Sequence, residues 1–448
     1  MSQHWGMKSP YKAEIVVTLV LATTLGAQSP TPPTNATGYP AADSATSARA
    51  AWRRATSAMQ VGDIATARAE ADRAVNAWPT QEVFLWGRVV LAARAGDTSG
   101  VVSALDAYAD IGIGRDFGNE PSIKAFMNSP QLQASRARHT ANRAPLARST
   151  VRATLPDSTF WPEGMDHDPR TGAFYVTSLR HRTIAEWRDG TTRELIARGR
   201  SDLGAILAVR VDTARGLLWA TTSGIPQQAN FTPADTAIVA LLRIRIADGS
   251  IERRWDLPVA SGGRVPGDVA IGPRGDVYIS DSQHPELYRL APGSDSLIPI
   301  RHPLFRSLQG IAPTPDPNIL YVADYSHGIL RVDFARQTVT RVGDAPRSTS
   351  LGIDGLTWHR GALIAIQNGV APARVMQYSL DAAGTHFTRA EVLDRNSAIA
   401  DEPTIGTLVG DAFVYVANSQ WEKYDAAGRP RPNATLTRPV LLSLPIPR

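Results

Sequence analysis

A strand–turn–strand unit recurs six times between Phe160 and Asn418, and this recurrence leaves few folds open to the chain. The first copy is Phe160-Trp161-Pro162-Glu163-Gly164-Met165-Asp166-His167-Asp168, the turn Pro169-Arg170-Thr171-Gly172, then Ala173-Phe174-Tyr175-Val176-Thr177-Ser178. Pro-x-x-Gly between two apolar runs is turn chemistry, because glycine accepts the positive φ that closes a hairpin. Aligned on the turn, further copies lie at Ile206–Thr222, Pro266–Asp281, Leu308–Asp324, Ile353–Asn368 and, more loosely, Asp401–Asn418. Units at a spacing of about 40–60 residues are the mark of a propeller with one unit per blade. Closing such an array into a ring protects its sheet edges. The predicted fold is therefore mainly β, a six-bladed propeller over residues 150–448. Thr150-Val151-Arg152-Ala153-Thr154-Leu155 alternates like a strand and is expected to pair with Val440-Leu441-Leu442-Ser443-Leu444, closing the ring from both ends.

Ahead of the propeller, residues 46–140 read as a small α-helical domain rich in alanine. Val61-Gly62-Asp63 and Ala95-Gly96-Asp97 are separated by 34 residues, and each Gly-Asp falls where the turn between paired helices belongs. The segment resembles tetratricopeptide repeats. That resemblance implies a groove for a protein partner; the alternative is a structural appendage. Residues 1–27 carry Lys8 and Lys12 before the apolar run Ile15–Leu25, ending Leu25-Gly26-Ala27-Gln28, the pattern of a secretory signal. The run is too short for a stable membrane span. Residues 28–45, opening Ser29-Pro30-Thr31-Pro32-Pro33, read as a disordered tether. The expected location is periplasmic or extracellular.

The chain has no cysteine, which removes disulfides and thiol chemistry and leaves stability to a large core. Its net charge of +5 is carried almost wholly by arginine, lysine standing only at 8, 12, 124 and 423. No basic run is interleaved with aromatics, so nucleic acid is not an expected partner.

In a propeller, equivalent positions of successive blades meet at the central channel. The blade-start positions are Glu163, Leu207, Gly267, Gln309, Asp354 and Glu402; Asp268 adds a carboxylate one residue after Gly267. The ends of the next strand supply Ser178, Thr222, Asp281, Asp324, Asn368 and Asn418. Carboxylates facing one another in a narrow channel repel unless some hold protons or a cation is bound. Carboxylates mixed with amides suit a hard cation such as Ca²⁺. The bland alternative is that the strand-end Asp and Asn residues cap turns.

Residues 157–448 resemble the senescence marker protein/gluconolactonase family of six-bladed propellers. The matching stretches are Pro162-Glu163-Gly164, Pro266-Gly267-Asp268-Val269, Gln309-Gly310-Ile311 with Tyr321-Val322-Ala323-Asp324, and Asp354-Gly355-Leu356. The resemblance implies a divalent metal in the channel and hydrolysis of a sugar lactone or ester. Glu163 and Asp354 match the family's Glu and Asp ligands, Gln309 replaces one Asn, and Gly267 stands where another Asn is expected. Asp354 would then be ligand and general base. Asp268, Asp281, Asp324, Asn368, Glu402, Asn418 and His284 are expected around a small-molecule ligand at the mouth, with His284 and His327 a candidate histidine pair. A non-catalytic binding module, holding a ligand at the mouth and a protein at the helical repeats, is the competing expectation.

Overall fold

A computed structural model of the chain describes residues 44–118 and 120–447. The expected signal sequence lies outside the described residues, as does the expected tether up to residue 43. Ser44 and Ala45, assigned to the tether by composition, belong instead to the first helix, where Ala45 is buried. Among the described residues no helix is long and apolar enough to cross a membrane.

Six four-stranded antiparallel sheets make up the larger unit. Their innermost strands are Pro162–Asp168, Ala205–Asp212, Pro266–Ile271, Leu308–Pro313, Ile353–His359 and Gly406–Val409, in blades 1 to 6. Each packs beside the next, and the last beside the first, so the sheets form a closed ring. In the first five blades the strands follow one another in sequence order. Blade 6 is assembled from both ends: Thr150–Thr154 pairs antiparallel with Val440–Pro445, Thr150 opposite Ser443 and Thr154 opposite Val440. The ring is thus closed by hydrogen bonds between strands almost three hundred residues apart in the chain.

The second strand of each blade lies between two neighbouring sheets and is buried on both faces. Ala173–Ser178 and Leu217–Ser223 are buried at every position. This is why these strands read as continuous apolar runs and not as strict alternations. The core is a series of interfaces between blades. Ile184, Leu218, Ala220 and Leu242 belong to one, Tyr321, Ile353, Leu363 and Tyr378 to another. Phe160, Met165, Val176, Val414 and Leu441 form the interface that joins the last blade to the first. Each Val, Leu, Ile, Phe or Met among them contributes about 1.5–3 kcal/mol on burial.

The second compact unit comprises residues 44–110 and Asp116–His139. It contains α1 (Ser44–Gln60), α2 (Ile64–Ala77), α3 (Glu82–Arg94) and α4 (Thr98–Asp110), with α1 packed on α2 and α3 on α4. Gly62 and Gly96 take positive φ in the two turns, 78° and 70°. Asp63 then caps α2 by accepting from Thr66 N at 3.0 Å, and Asp97 accepts from Gly100 N at 2.8 Å. Ala67, Ala71 and Ala74 are fully buried, as close helix packing requires. A 3₁₀ turn, Pro121–Phe126, and α5 (Pro130–Arg143) follow. On α5, Ser135 donates to Asp106, and the His139 ring bonds the Leu105 carbonyl at 3.0 Å.

Candidate functional site

Five of the six innermost strands share an irregularity absent from any periodicity argument. Between Pro162 and Met165 the register with the next strand slips by one residue, and the same slip occurs at 206–209, 266–268, 308–311 and 353–356. A β-bulge inserts an extra residue and re-aims the side chain it carries. The bulged positions include Glu163, Leu207, Gly267, Gln309 and Asp354. Four of these five face one cavity, whose lining is Glu163, Gly267, Asp268, Gln309, Gly310, Asp354, Thr404 and Ile405. The exception is Leu207, which joins an apolar cluster with Trp161, Leu179, Ile225 and Tyr424. The cavity volume of about 10 Å³ is room for one water or one ion.

Glycines after the bulged residues make the convergence possible. A Cβ on Gly164 would lie 2.5 Å from the Leu207 carbonyl oxygen, one on Gly310 2.5 Å from the Asp354 oxygen, and one on Gly355 2.7 Å from the Thr404 oxygen. Each glycine lets one blade's inner strand touch the backbone of the next. The same register places Thr404 at the blade 6 position. Glu402, expected there, lies two residues outside the ring because blade 6 spends those residues turning into its strand. The Thr404 hydroxyl donates to the Glu163 carbonyl oxygen at 3.1 Å.

The carboxylates differ in their surroundings. Glu163 accepts from the Trp421 indole, Nε1 to Oε2, at 2.8 Å. Asp354 Oδ2 accepts from Asn368 Nδ2 at 2.8 Å; the same amide group donates to the Pro403 carbonyl, and Asn368 Oδ1 accepts from Tyr325 at 3.2 Å. Asn368 therefore orients Asp354, between blades 5 and 6. Asp268 is buried and accepts from Val269 N and Ile311 N, both at 2.8 Å, with Arg210 Nη2 at 3.4 Å. Burial pushes its carboxyl up to about 6, helped by the nearby Asp354 charge and opposed by Arg210 and the two amides. Burial, with Glu422, Glu163 and Asp401 close by, pushes Glu402 up to about 8. Two devices thus relieve the repulsion expected among these acids: a guanidinium built into the wall, and a carboxyl that keeps its proton at neutral pH.

Asp268 gives the fold a defined pH response. A carboxyl held from the ordinary 3.8 up to about 6 stabilises the folded state while protonated. That stability is complete below about pH 4 and is lost as pH rises through 6, about 3 kcal/mol in all at 1.36 kcal/mol per pH unit. In chelator, Asp268→Asn should gain stability relative to wild type between pH 4 and pH 7. Parallel melting curves for the two proteins across that range would refute the assignment.

The remaining expected site residues are engaged elsewhere. Asp281 accepts from the backbone N–H of Val265, Gln283 and His284 and from Arg264 at 2.8 Å. Asp324 accepts from the N–H of Arg306, Ser307 and Ser326. Both sit in turns of their own blades, where short acidic side chains replace backbone partners. Asn418 ties the two ends of a long loop, donating to Thr437 Oγ1 at 3.0 Å and the Arg438 carbonyl at 2.9 Å and accepting from Val440 N. His284 Nε2 meets the Ser261 carbonyl at 3.0 Å, and His327 is buried; neither lines the cavity. Among the described residues, no group of three Asp, Glu or His side chains is placed to hold a metal. The cavity gathers three acids and one amide, Glu163, Asp268, Asp354 and Gln309, of which Asp268 is taken up by two backbone amides and Arg210. Arg210, Thr404 and Trp421 went unnoticed in the sequence. No sequence signal marks any of the three: in blade 6 the residue before the glycine is Ile405, so alignment on the glycine motifs does not give Thr404.

No protein-family model matches the chain, and no curated protein matches it. Solved structures do. A protein of Thermus thermophilus described as an oxidoreductase (glucose dehydrogenase) matches at 17% identity and TM-score 0.45, over 66% of this chain and 99% of that one. Regucalcin from Agrobacterium tumefaciens, described as a calcium-binding protein, matches at 16% and 0.44, over 66% and 94%. Virginiamycin B lyase from Staphylococcus aureus matches at 13% and 0.43, over 66% and 100%. Likenesses this distant give no activity to the chain.

Proposed function

We propose that the propeller is a hydrolase of a small lactone or ester, dependent on a divalent cation such as calcium and working at the Glu163 end of the channel. The observation that carries the reading is the convergence of Glu163, Gln309 and Asp354, from three blades, on a cavity the size of one ion. The donors are all oxygen, two from acids and one from an amide, which is hard-cation chemistry. Gly267 adds no donor, so water or substrate would complete the shell, as in open catalytic sites. When bound, the cation would polarise a carbonyl oxygen. Asp354, oriented by Asn368, is the proton acceptor in this reading, and Gln309 and Glu163 position the ligand.

The test is a calcium titration followed by melting, beside a screen of aliphatic lactones and aryl esters. Calcium-stimulated ring opening is expected, and Glu163→Gln should lose both the stabilisation and the turnover. Calcium binding without turnover on any substrate would select the second reading, a non-catalytic binding propeller. That alternative is favoured by one observation: Trp421 already covers Glu163. The proposal extends to an exported protein, on the Lys8–Gln28 pattern, and to a protein partner for the helical pairs, on the 34-residue recurrence of Gly-Asp.

A further inference from the structure

A second cavity lies between the segment that leads into blade 6 and the loop 417–439, which joins that blade's second and third strands. Its volume of about 290 Å³ is at the small end of ligand sites, about 300–1,000 Å³, and it shares no lining residue with the cavity at Glu163. Three of its lining residues, Glu402, Gln420 and Asn433, hold positive φ without being glycine, at 71°, 66° and 65°. Such backbone persists only where its surroundings enforce it, and it gathers at ligand clamps. The enforcement is visible here. Ser419 donates to the Glu402 carbonyl through both N and Oγ at 3.1 Å. The Gln420 amide donates to the Thr437 carbonyl at 3.0 Å and accepts from Thr437 N at 2.7 Å. The Arg431 N–H donates to the Lys423 carbonyl at 2.8 Å, tying the two arms of the loop together.

The charges on this wall do not cancel in place. Lys423 pairs with Asp401 at 3.2 Å, which leaves two acids and one base. Glu402 takes one hydrogen bond, from Glu422 N at 3.3 Å, and neither Glu402 nor Glu422 pairs with a cation among the described residues. Arg431 spends Nε on the Glu422 carbonyl at 3.0 Å and keeps both Nη atoms free. We propose that the cavity binds a small zwitterion, an amino acid or a related amine carboxylate, with its ammonium on Glu402 and Glu422 and its carboxylate on the Nη atoms of Arg431. An anion alone would meet two carboxylates, and a cation alone would leave the guanidinium without a partner. Among the described residues no three acids converge on one point, so a metal ion has no seat here. The planar fork of a guanidinium matches a carboxylate in two parallel hydrogen bonds. Burial, with Glu422, Glu163 and Asp401 close by, keeps a proton on Glu402, and a ligand ammonium would take that proton's place.

Melting of the full chain with each of the common L-amino acids tests this, with propylamine and propionate as single-charge controls and calorimetric titration of whichever amino acid raises the melting temperature. At least one amino acid should do so, and should bind at least about tenfold more tightly than either control. A hydrogen bond to a charged group is worth about 1.5–3 kcal/mol, and tenfold in affinity is about 1.4 kcal/mol, so Glu402→Gln and Arg431→Gln should each weaken its binding about 10- to 100-fold. Arg431 is exposed, so its variant folds whether or not Glu402→Gln does. No response to any amino acid, equally tight binding of a single-charge control, or unchanged affinity in Arg431→Gln would overturn the inference. Each of these outcomes leaves the cation reading at Glu163 as it stands.

Discussion

Asp354→Ala should abolish the rise in melting temperature expected of the wild-type protein in calcium, while leaving the calcium-free melting temperature within a few degrees of wild type. A ligand at a hundredfold its Kd stabilises by about 2.7 kcal/mol, and all of that is lost if the residue is a ligand. The second half of the expectation comes from the surroundings of Asp354. Its charge is one of those raising Asp268, so its removal relieves repulsion among buried acids. Its Oδ2 takes one amide hydrogen of Asn368, and Asn368 keeps the Pro403 carbonyl and Tyr325. If the proposed cation site is right, it carries unfavourable charge when empty, so the variant separates binding from folding. An unchanged calcium response in the variant would remove Asp354 from the site and with it the hydrolase reading.

Gly310→Ala should be among the most damaging single substitutions in the propeller, and Gly267→Ala among the most harmless, although both lie in bulges of neighbouring inner strands. A Cβ at 310 would stand 2.5 Å from both the Asp354 oxygen and the Leu356 nitrogen. These are backbone atoms of blade 5, which cannot swing aside as a side chain would, so blades 4 and 5 must separate. Overpacking a core with a single group costs about 1–3 kcal/mol, and a clash with backbone on two sides belongs at or above the top of that range. A Cβ at 267 meets nothing closer than 3.8 Å, and its φ is not in the left-handed region. Gly267→Ala should be neutral or stabilise by a few tenths of a kcal/mol through the unfolded chain. Denaturant melts of the two variants read this directly; equal stability would mean the inner strands are not in the contact described. The comparison also separates two kinds of glycine. Gly164, Gly310 and Gly355 are demanded by ring packing, whereas nothing in the packing demands Gly267, so the missing donor there is a property of the site and not of the fold.

The same distinction explains what could be read early. Pro162-Glu163-Gly164, Gln309-Gly310 and Asp354-Gly355 stand out in the sequence because an acid or amide precedes a glycine in each. The glycine records a packing constraint repeated around the ring, and the residue before it is the one the bulge turns into the channel. Asp281, Asp324, Asn368 and Asn418 occupy equivalent places at strand ends and look alike in one dimension. Their hydrogen bonds separate them: two cap turns, one orients Asp354, and one clamps a loop. Short polar side chains at strand ends have several backbone groups in reach, and spacing does not say which they take.

Sequence alone determined the blade count, the inner hairpin of each blade and the closure of the last blade by the first strand. Those features rest on local physics, the alternation and turn chemistry of hairpins and the apolar runs that lie between sheets. The tertiary structure decided the contents of the channel. Arg210 reaches Asp268 from another blade, Thr404 replaces Glu402 by register, and Trp421 meets Glu163 across 258 residues of chain. Such contacts follow from where the closed ring and its loop bring distant residues together, and no local pattern in the chain encodes that distance.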